Sequence, residues 1–274
     1  MQIGLKARFS DFSEIVKLRP DFVEFHFSDV DPDFNFVAKE KYPFPCFIHL
    51  PEMWNGHMID IASVKNENQV LPLSESIEVL QKIITKSERF FKYFNNKENI
   101  FILHPGGMSF DKDYPENNKH RMETLIESLS QIKTNNSEIL VENLPPYPWY
   151  LGGQWNSNIF MEAHEIEKFC QTTGKKICFD TSHSKLYCNS ANKDFFDELK
   201  IVKKYIKHIH IGDAKGVDGE GIQIDEGEID FKKFFDLMKY YEGTMVNEIW
   251  MGYINDFQGF KIANQKIKKY LNLK

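Results

Sequence analysis

The sequence is first informative through what it lacks. Only four cysteines occur in 274 residues, at 46, 170, 178 and 188, and no two form a Cys-x-x-Cys pair. Cys46 and Cys178 sit inside apolar runs, so buried thiols in a reducing compartment are expected rather than disulfides. No apolar run approaches about 18 residues, and the start MQIGLKARFSDF has no basic-then-apolar secretory pattern. A soluble cytoplasmic chain without a membrane partner is the expectation. An excess of Lys and Arg is missing as well, with 34 of them against 40 Asp and Glu. The net charge of −6 argues against nonspecific capture of a phosphate backbone, so no nucleic-acid partner is expected. No Gly-x-Gly-x-x-Gly follows the first apolar run, which removes support for a dinucleotide-binding sheet. No Pro-, Gly- and Ser-rich linker and no low-complexity tract divides the chain. Residues 1–274 are therefore read as one domain.

What is present is an alternation of short apolar runs with longer stretches of helical period. Strands are expected at Gln2–Leu5, Phe22–Phe27, Cys46–Leu50, Ile100–His104, Glu138–Asn143, Lys176–Asp180, Ile206–Ile211 and Thr244–Ile249. The last six are rich in Ile, Val and Phe and lack polar alternation, as strands buried on both faces do. Helices are expected over Ser74–Phe94, Glu116–Lys133, Phe160–Thr173, Asn192–Tyr205, Ile229–Tyr241 and Gln258–Leu271, with weaker helical stretches at Ser10–Leu18 and Asp31–Glu40. Eight strands alternating with helices give a (β/α)8 TIM barrel or an open doubly wound sheet, and the chain length suits the barrel. The long segments Glu52–Pro72 and Pro145–Asn158 follow strand C-termini, the end of a barrel where active sites are built.

Ionisable residues recur at those same ends. His49 closes FIHLP, His104 closes FILHPGG, and Glu142 closes ILVENLPP. Asp180 and His183 close ICFDTSH, His210 closes IHIGD, and Glu248 closes MVNEIW. From 104 to 142, 180, 210 and 248 the intervals are 38, 38, 30 and 38 residues. One βα unit takes roughly 30 residues or more, so these residues fall once per unit at one edge of the sheet. In a closed barrel they gather around one mouth. His208 alternates with His210 on the same face, one step deeper, as a core or supporting residue. Each residue alone has an ordinary structural explanation; Asp180 before Thr181 and Ser182, for instance, suits a helix N-cap. Together, Glu142, Asp180 and Glu248 are three carboxylates converging with the imidazole of His210, and these motifs offer no matching Arg or Lys. Buried carboxylates are costly unless paired or on a metal. An oxygen-rich set with one nitrogen suits Mn²⁺, Mg²⁺ or Co²⁺, and Zn²⁺ is also compatible.

The segments HPGG, ENLPP, DTSH, HIHIGDAKG, GEID and NEIW, in this order, resemble the xylose isomerase-like TIM barrel superfamily from about His49 to the C-terminus. That group includes sugar isomerases and epimerases, dehydratases of keto-polyols, and endonuclease IV. In the branch similar to D-tagatose 3-epimerases, a Glu, Asp, His, Glu quartet binds one divalent metal. The resemblance places that quartet on Glu142, Asp180, His210 and Glu248, and a substrate contact on His183. It implies a metal-dependent isomerase or epimerase acting on a small carbohydrate by proton abstraction beside a carbonyl, through an enediolate. Glu142 and Glu248, expected on nearly opposite sides of the mouth, would serve as base and acid. His183, His104 and His49 would hold substrate oxygens, Trp54, Trp149, Tyr150 and Trp155 would wall the pocket, and Lys215 would meet a charged substrate group or stay exposed beside Asp213. A dehydratase would use the same groups to expel a β-hydroxyl. The endonuclease IV branch needs three zinc ions; here Gly219 and Gly221 replace ligands of the third, and Trp54 stands where the first needs a histidine. An assembly of identical chains stays open.

Overall fold

The computed structural model describes residues 1–27, 41–65, 67–111 and 116–273. The weak helix expected at Asp31–Glu40 lies outside them. Eight strands, β1 (Gln2–Ala7), β2 (Val23–His26), β3 (Cys46–His49), β4 (Asn99–Leu103), β5 (Ser137–Glu142), β6 (Ile177–Asp180), β7 (Ile206–Ile211) and β8 (Thr244–Asn247), close into a barrel. Each pairs in parallel with its sequence neighbours, and β8 pairs with β1. The eight expected strands are all found, and the (β/α)8 barrel is the observed fold. Helices between them are α1 (Phe12–Lys17), α2 (Leu73–Glu88), α3 (Glu116–Gln131), α4 (Ala163–Thr173), α5 (Thr181–Ala191), α6 (Phe195–Val202), α7 (Phe231–Leu237) and α8 (Ile254–Tyr270).

Alternation along each strand sorts side chains into two cores. Outward residues such as Val23, Phe25, Ile48, Phe101, Val141, Phe179 and Ile209 pack beneath the helices in one large apolar layer. Inward residues Phe22, Phe47, Ile100, Ile102, Leu140, Cys178 and Val246 form a separate plug inside the barrel. Gly4 makes room for that plug: a Cβ there would stand 2.4 Å from the Phe22 ring. The plug fills the lower barrel, so polar inward residues nearer the strand C-termini rest on an apolar floor. Cys46, Cys170, Cys178 and Cys188 are buried free thiols. No helix among the described residues is long and apolar enough to cross a membrane.

The helices follow the sequence pattern with informative departures. In α2, Val79, Leu80, Ile83 and Ile84 form one buried stripe. Gly174 ends α4 in the left-handed conformation at φ 70°, where glycine lacks the Cβ penalty. α5 is not expected from periodicity, because TSHSKLYCNSA has a weak apolar stripe. It forms because Asp180, the last residue of β6, caps it: the Asp180 carboxylate accepts from the His183 backbone N–H at 2.6 Å. In α8, residues 255–257 are left-handed at φ 51°, 59° and 59°, so its right-handed part begins at Gln258, as expected.

Burial pushes the Glu165 carboxyl, in the first turn of α4, up to about 7; its bond from the Phe160 N–H opposes the rise, and Glu162 adds to it. The folded state then keeps a proton that the unfolded chain releases near pH 4.5. Stability from this group is complete below that pH and is lost as pH rises towards 7. Glu165→Gln removes this loss. Chemical denaturation of the variant at pH 8 should show a gain of about 1–2 kcal/mol, discounted for partial exposure, and no gain at pH 4.

Candidate metal centre

The C-terminal strand ends bring four predicted residues to one point. Ligand-capable atoms of Glu142, Asp180, His210 and Glu248 all lie within 4.8 Å of one another. That spacing is about the width of a coordination shell with bonds of roughly 2.1–2.4 Å. Glu142 ends β5, Asp180 ends β6, His210 lies in β7, and Glu248 follows β8.

Each of the four has one polar atom anchored and one left over. Glu142 Oε2 faces His49 Nε2 at 3.2 Å and His104 Nε2 at 3.5 Å. Asp180 Oδ1 caps α5. His210 Nε2 meets the Glu24 carboxylate at 3.0 Å. Glu248 Oε1 accepts from Lys6 Nζ. The remaining atoms, Glu142 Oε1, Asp180 Oδ2, His210 Nδ1 and Glu248 Oε2, are buried without a hydrogen-bond partner. Both glutamate oxygens approach His210 Nδ1, Glu142 Oε1 at 3.2 Å and Glu248 Oε2 at 2.7 Å. Buried polar atoms are nearly always satisfied. Four orphans facing one point, three of them carboxylate oxygens, fit a divalent cation.

A ring of imidazoles surrounds this point. Glu52, just after β3, faces His26 Nε2, His49 Nδ1 and His104 Nδ1 at 3.4, 3.7 and 3.9 Å. His26 and His49 stack 4.7 Å apart. His183 is held by its Nδ1 to the Asn143 carbonyl at 2.7 Å, and its Nε2 lies 3.2 Å from Glu220. Asn143 fixes β6 beside it, donating to the Asp180 carbonyl and accepting from its N–H. Below, His208 bridges Glu24 at 2.8 Å and Thr244 at 2.7 Å.

The electrostatics follow from these contacts. Burial pushes Asp180 up to about 7, with Glu248 and Glu142 adding to the rise against His183. Burial would also raise Glu142, but His210 and His104 hold it well below the ordinary range. Burial would lower His183, yet Asp180 and Glu220 keep it raised. For Lys6 the burial effect is overcome by Glu248, Glu24 and Glu142, so its ammonium is stabilised.

The structure thus gathers Glu142, Asp180, His210, Glu248, His49, His104 and His183. Glu142 and Glu248 arise on well-separated sides of the mouth. Their strands are three apart, and the barrel's tilt and side-chain reach bring both carboxylates to His210. Trp54 lies in a hairpin of Met53–Trp54 with His57–Met58, lining a surface cavity with Asn55, Glu67 and Glu75. Lys215 is exposed in the hairpin of Asp213–Lys215 with Gly219–Ile222. Trp155 is a core residue and Trp149 is 64% exposed, whereas the Tyr150 hydroxyl reaches within 3.4 Å of His104 Nδ1. The sequence pattern did not single out Lys6, Glu24, His26, Glu52 or Glu220. Glu24 carried the clearest signal, a charge in the middle of the apolar run FVEFHF.

The profile of the xylose isomerase-like TIM barrel family matches residues 76–270, and the chain belongs to this family. Superfamily members are mostly enzymes, among them epimerases, isomerases and endonucleases, and often bind divalent metals. An uncharacterized protein of Methanocaldococcus jannaschii is 26% identical over 255 residues, 90% of this chain and 88% of that protein. Among solved structures, a D-tagatose 3-epimerase-like protein is 18% identical with a TM-score of 0.63, covering 99% of this chain and 97% of that one. D-psicose 3-epimerase from Clostridium cellulolyticum, solved with D-tagatose, is 12% identical with a TM-score of 0.65, covering 99% of both chains. Endonuclease IV from Thermus thermophilus is 15% identical with a TM-score of 0.62, covering 98% of this chain and all of that one. At these identities the structural likenesses show the fold.

Asp180 loses its charge but keeps its cap in Asp180→Asn. In chelator-treated protein at pH 8, above the raised Asp180 value, this variant should melt a few degrees higher than the unaltered chain, because a buried like charge is gone. Added Mn²⁺ should raise the melting temperature of the unaltered chain and leave the variant nearly unmoved.

Proposed function

We propose that this protein is a divalent-metal-dependent sugar isomerase or epimerase. The observation that carries the reading is the convergence of four orphaned buried atoms from Glu142, Asp180, His210 and Glu248. A bound cation such as Mn²⁺, Mg²⁺ or Co²⁺ would supply positive charge that stabilises an enediolate. The chain's own groups would do the rest. Glu248 borders a cavity of about 310 Å³ lined also by Lys6, Arg8, His26, Trp250 and Tyr253, so its carboxylate can reach a proton beside a substrate carbonyl. Glu142, on the other flank of His210, would return or remove the proton on the second face. His183, His104 and His49 can hold hydroxyls, and Tyr150 over His104 helps exclude water from that side.

One observation favours a second reading. His49 Nδ1 donates to the Leu50 carbonyl at 2.8 Å, and burial, ahead of its neighbours' charges, lowers its basicity. In that tautomer Nε2 is a lone pair, yet it faces Glu142 Oε2. A further cation held by His49 and Glu142, which with His210 offer ligand atoms within 4.8 Å of one another, would resolve this, as in a multi-zinc phosphodiesterase of the endonuclease IV kind.

Elemental analysis decides between the two. About one bound divalent ion per chain is expected for the epimerase, and two or more with cleavage of abasic duplex would replace it. Incubation of the loaded protein with ketoses in heavy water should give deuterium exchange at the carbon next to the carbonyl. Glu142→Gln should slow that exchange by about 10²–10⁴-fold. Loss of water with an ultraviolet-absorbing enone product would instead identify a dehydratase, and no exchange from any tested ketose would overturn the isomerase reading.

A further inference from the structure

We infer that Lys6 and Glu24 are a positioning pair that sets the orientation of two of the four convergent groups before any cation arrives. The inference rests on the metal-centre reading above. Lys6 on β1 and Glu24 on β2 are register partners, placed side by side on the inner face of the barrel. Glu24 is wholly buried, and Lys6 is 12% exposed on the cavity wall. Nothing in an apolar plug calls for a carboxylate and an ammonium at this level; burying them is costly unless their contacts are used.

Glu24 acts on His210 through a chain of fixed donors. The Thr244 hydroxyl donates to His208 Nδ1 at 2.7 Å, which leaves His208 Nε2–H to donate to Glu24 Oε2 at 2.8 Å. An ionised carboxylate only accepts. His210 therefore carries a proton on Nε2, facing Glu24 at 3.0 Å, and Nδ1 is the ring atom left to face the convergence point. That Nδ1 is the atom orphaned at the convergence point. Outer carboxylates commonly fix metal-ligating histidines in this manner.

Lys6 acts on Glu248. An ammonium only donates, and Nζ takes Glu248 Oε1, turning Oε2 towards His210 Nδ1. Lys6 Nζ also lies 3.9 Å from Glu24 Oε1, so the two anchors restrain each other. One internally neutral pair thus orients ligands from β7 and from the segment after β8 without adding net charge. Arginine could not take the place of Lys6 without displacing Glu24, since its planar fork is larger and fixes its donors in one plane.

The test measures cation binding rather than turnover. Chelator-stripped unaltered protein, Glu24→Gln, Lys6→Met and the double variant are titrated with Mn²⁺ by calorimetry and with Co²⁺ by visible absorption. Melting of the cation-free forms reports folding. Each single variant should bind Mn²⁺ roughly 10–100-fold more weakly and change the Co²⁺ spectrum. The double variant should lose less than the two single losses combined, because the anchors are coupled. If Glu24→Gln does not fold, Lys6→Met carries the test alone through Glu248. A folded variant with unaltered affinity and an unaltered Co²⁺ spectrum would show that the pair serves packing only and would overturn the inference, while the metal reading stood. Failure of the unaltered protein to bind any divalent ion would remove both.

Discussion

Negative charge withdrawn from water has to be met by positive charge or by donors, and the mouth of this barrel is built around that requirement. Glu24, Glu142 and Asp180 are fully buried, and Glu248 is half-buried on the cavity wall. Water could solvate these groups far better than an apolar interior can. The fold answers with imidazoles, one ammonium and one helix N-terminus, each taking one atom of a carboxylate or ring. Four of the atoms these partners leave unanswered, Glu142 Oε1, Asp180 Oδ2, His210 Nδ1 and Glu248 Oε2, meet at a single point. That concentration separates a candidate metal centre from a merely well-paired polar core.

The barrel produces the concentration almost mechanically. Parallel strands all present their C-terminal ends on one side, and inward residues alternate along each of them. Phe22, Phe47 and Ile102 fill the lower barrel, so the charged layer above them cannot sink, and the helices outside prevent it from spreading. Asp180 shows how tightly the parts are shared. One of its oxygens starts α5 and the other faces the convergence point, so the local folding signal and the chemistry use the same side chain. A helix that begins directly on a barrel strand also places His183 beside the same point, where Glu220 of the hairpin after β7 faces it.

The family frame hosts sugar epimerases and an endonuclease with equal ease, as the structural neighbours show. The four convergent groups alone therefore do not choose a reaction. Residues around them differ in kind: His49, His104 and Glu52 crowd one flank, and Lys6 and Arg8 line the cavity on the other. The cavity beside Glu248 sets what size of molecule approaches.

Local pattern determined much of this protein. Apolar runs of four to six residues recurring through the chain specified eight strands, because burial on both faces leaves no other residue choice. Phase specified the convergent set: one ionisable residue per βα unit, always at the strand's end, pointed to Glu142, Asp180, His210 and Glu248 together with His49, His104 and His183. Three things were decided only in three dimensions. α5 lacked a periodic stripe, so although Asp180 suited a cap in the sequence, only the fold showed a helix following it. Glu142 and Glu248 looked far apart around the mouth, but side-chain reach across a tilted barrel brought both to His210. Lys6, Glu24 and Glu52 stand in segments with no motif, and their importance came from neighbours 184 or more residues away in the first two cases. A sequence reports what a residue is and how it is spaced; which charge it meets depends on closing the ring, and that is a property of the whole chain.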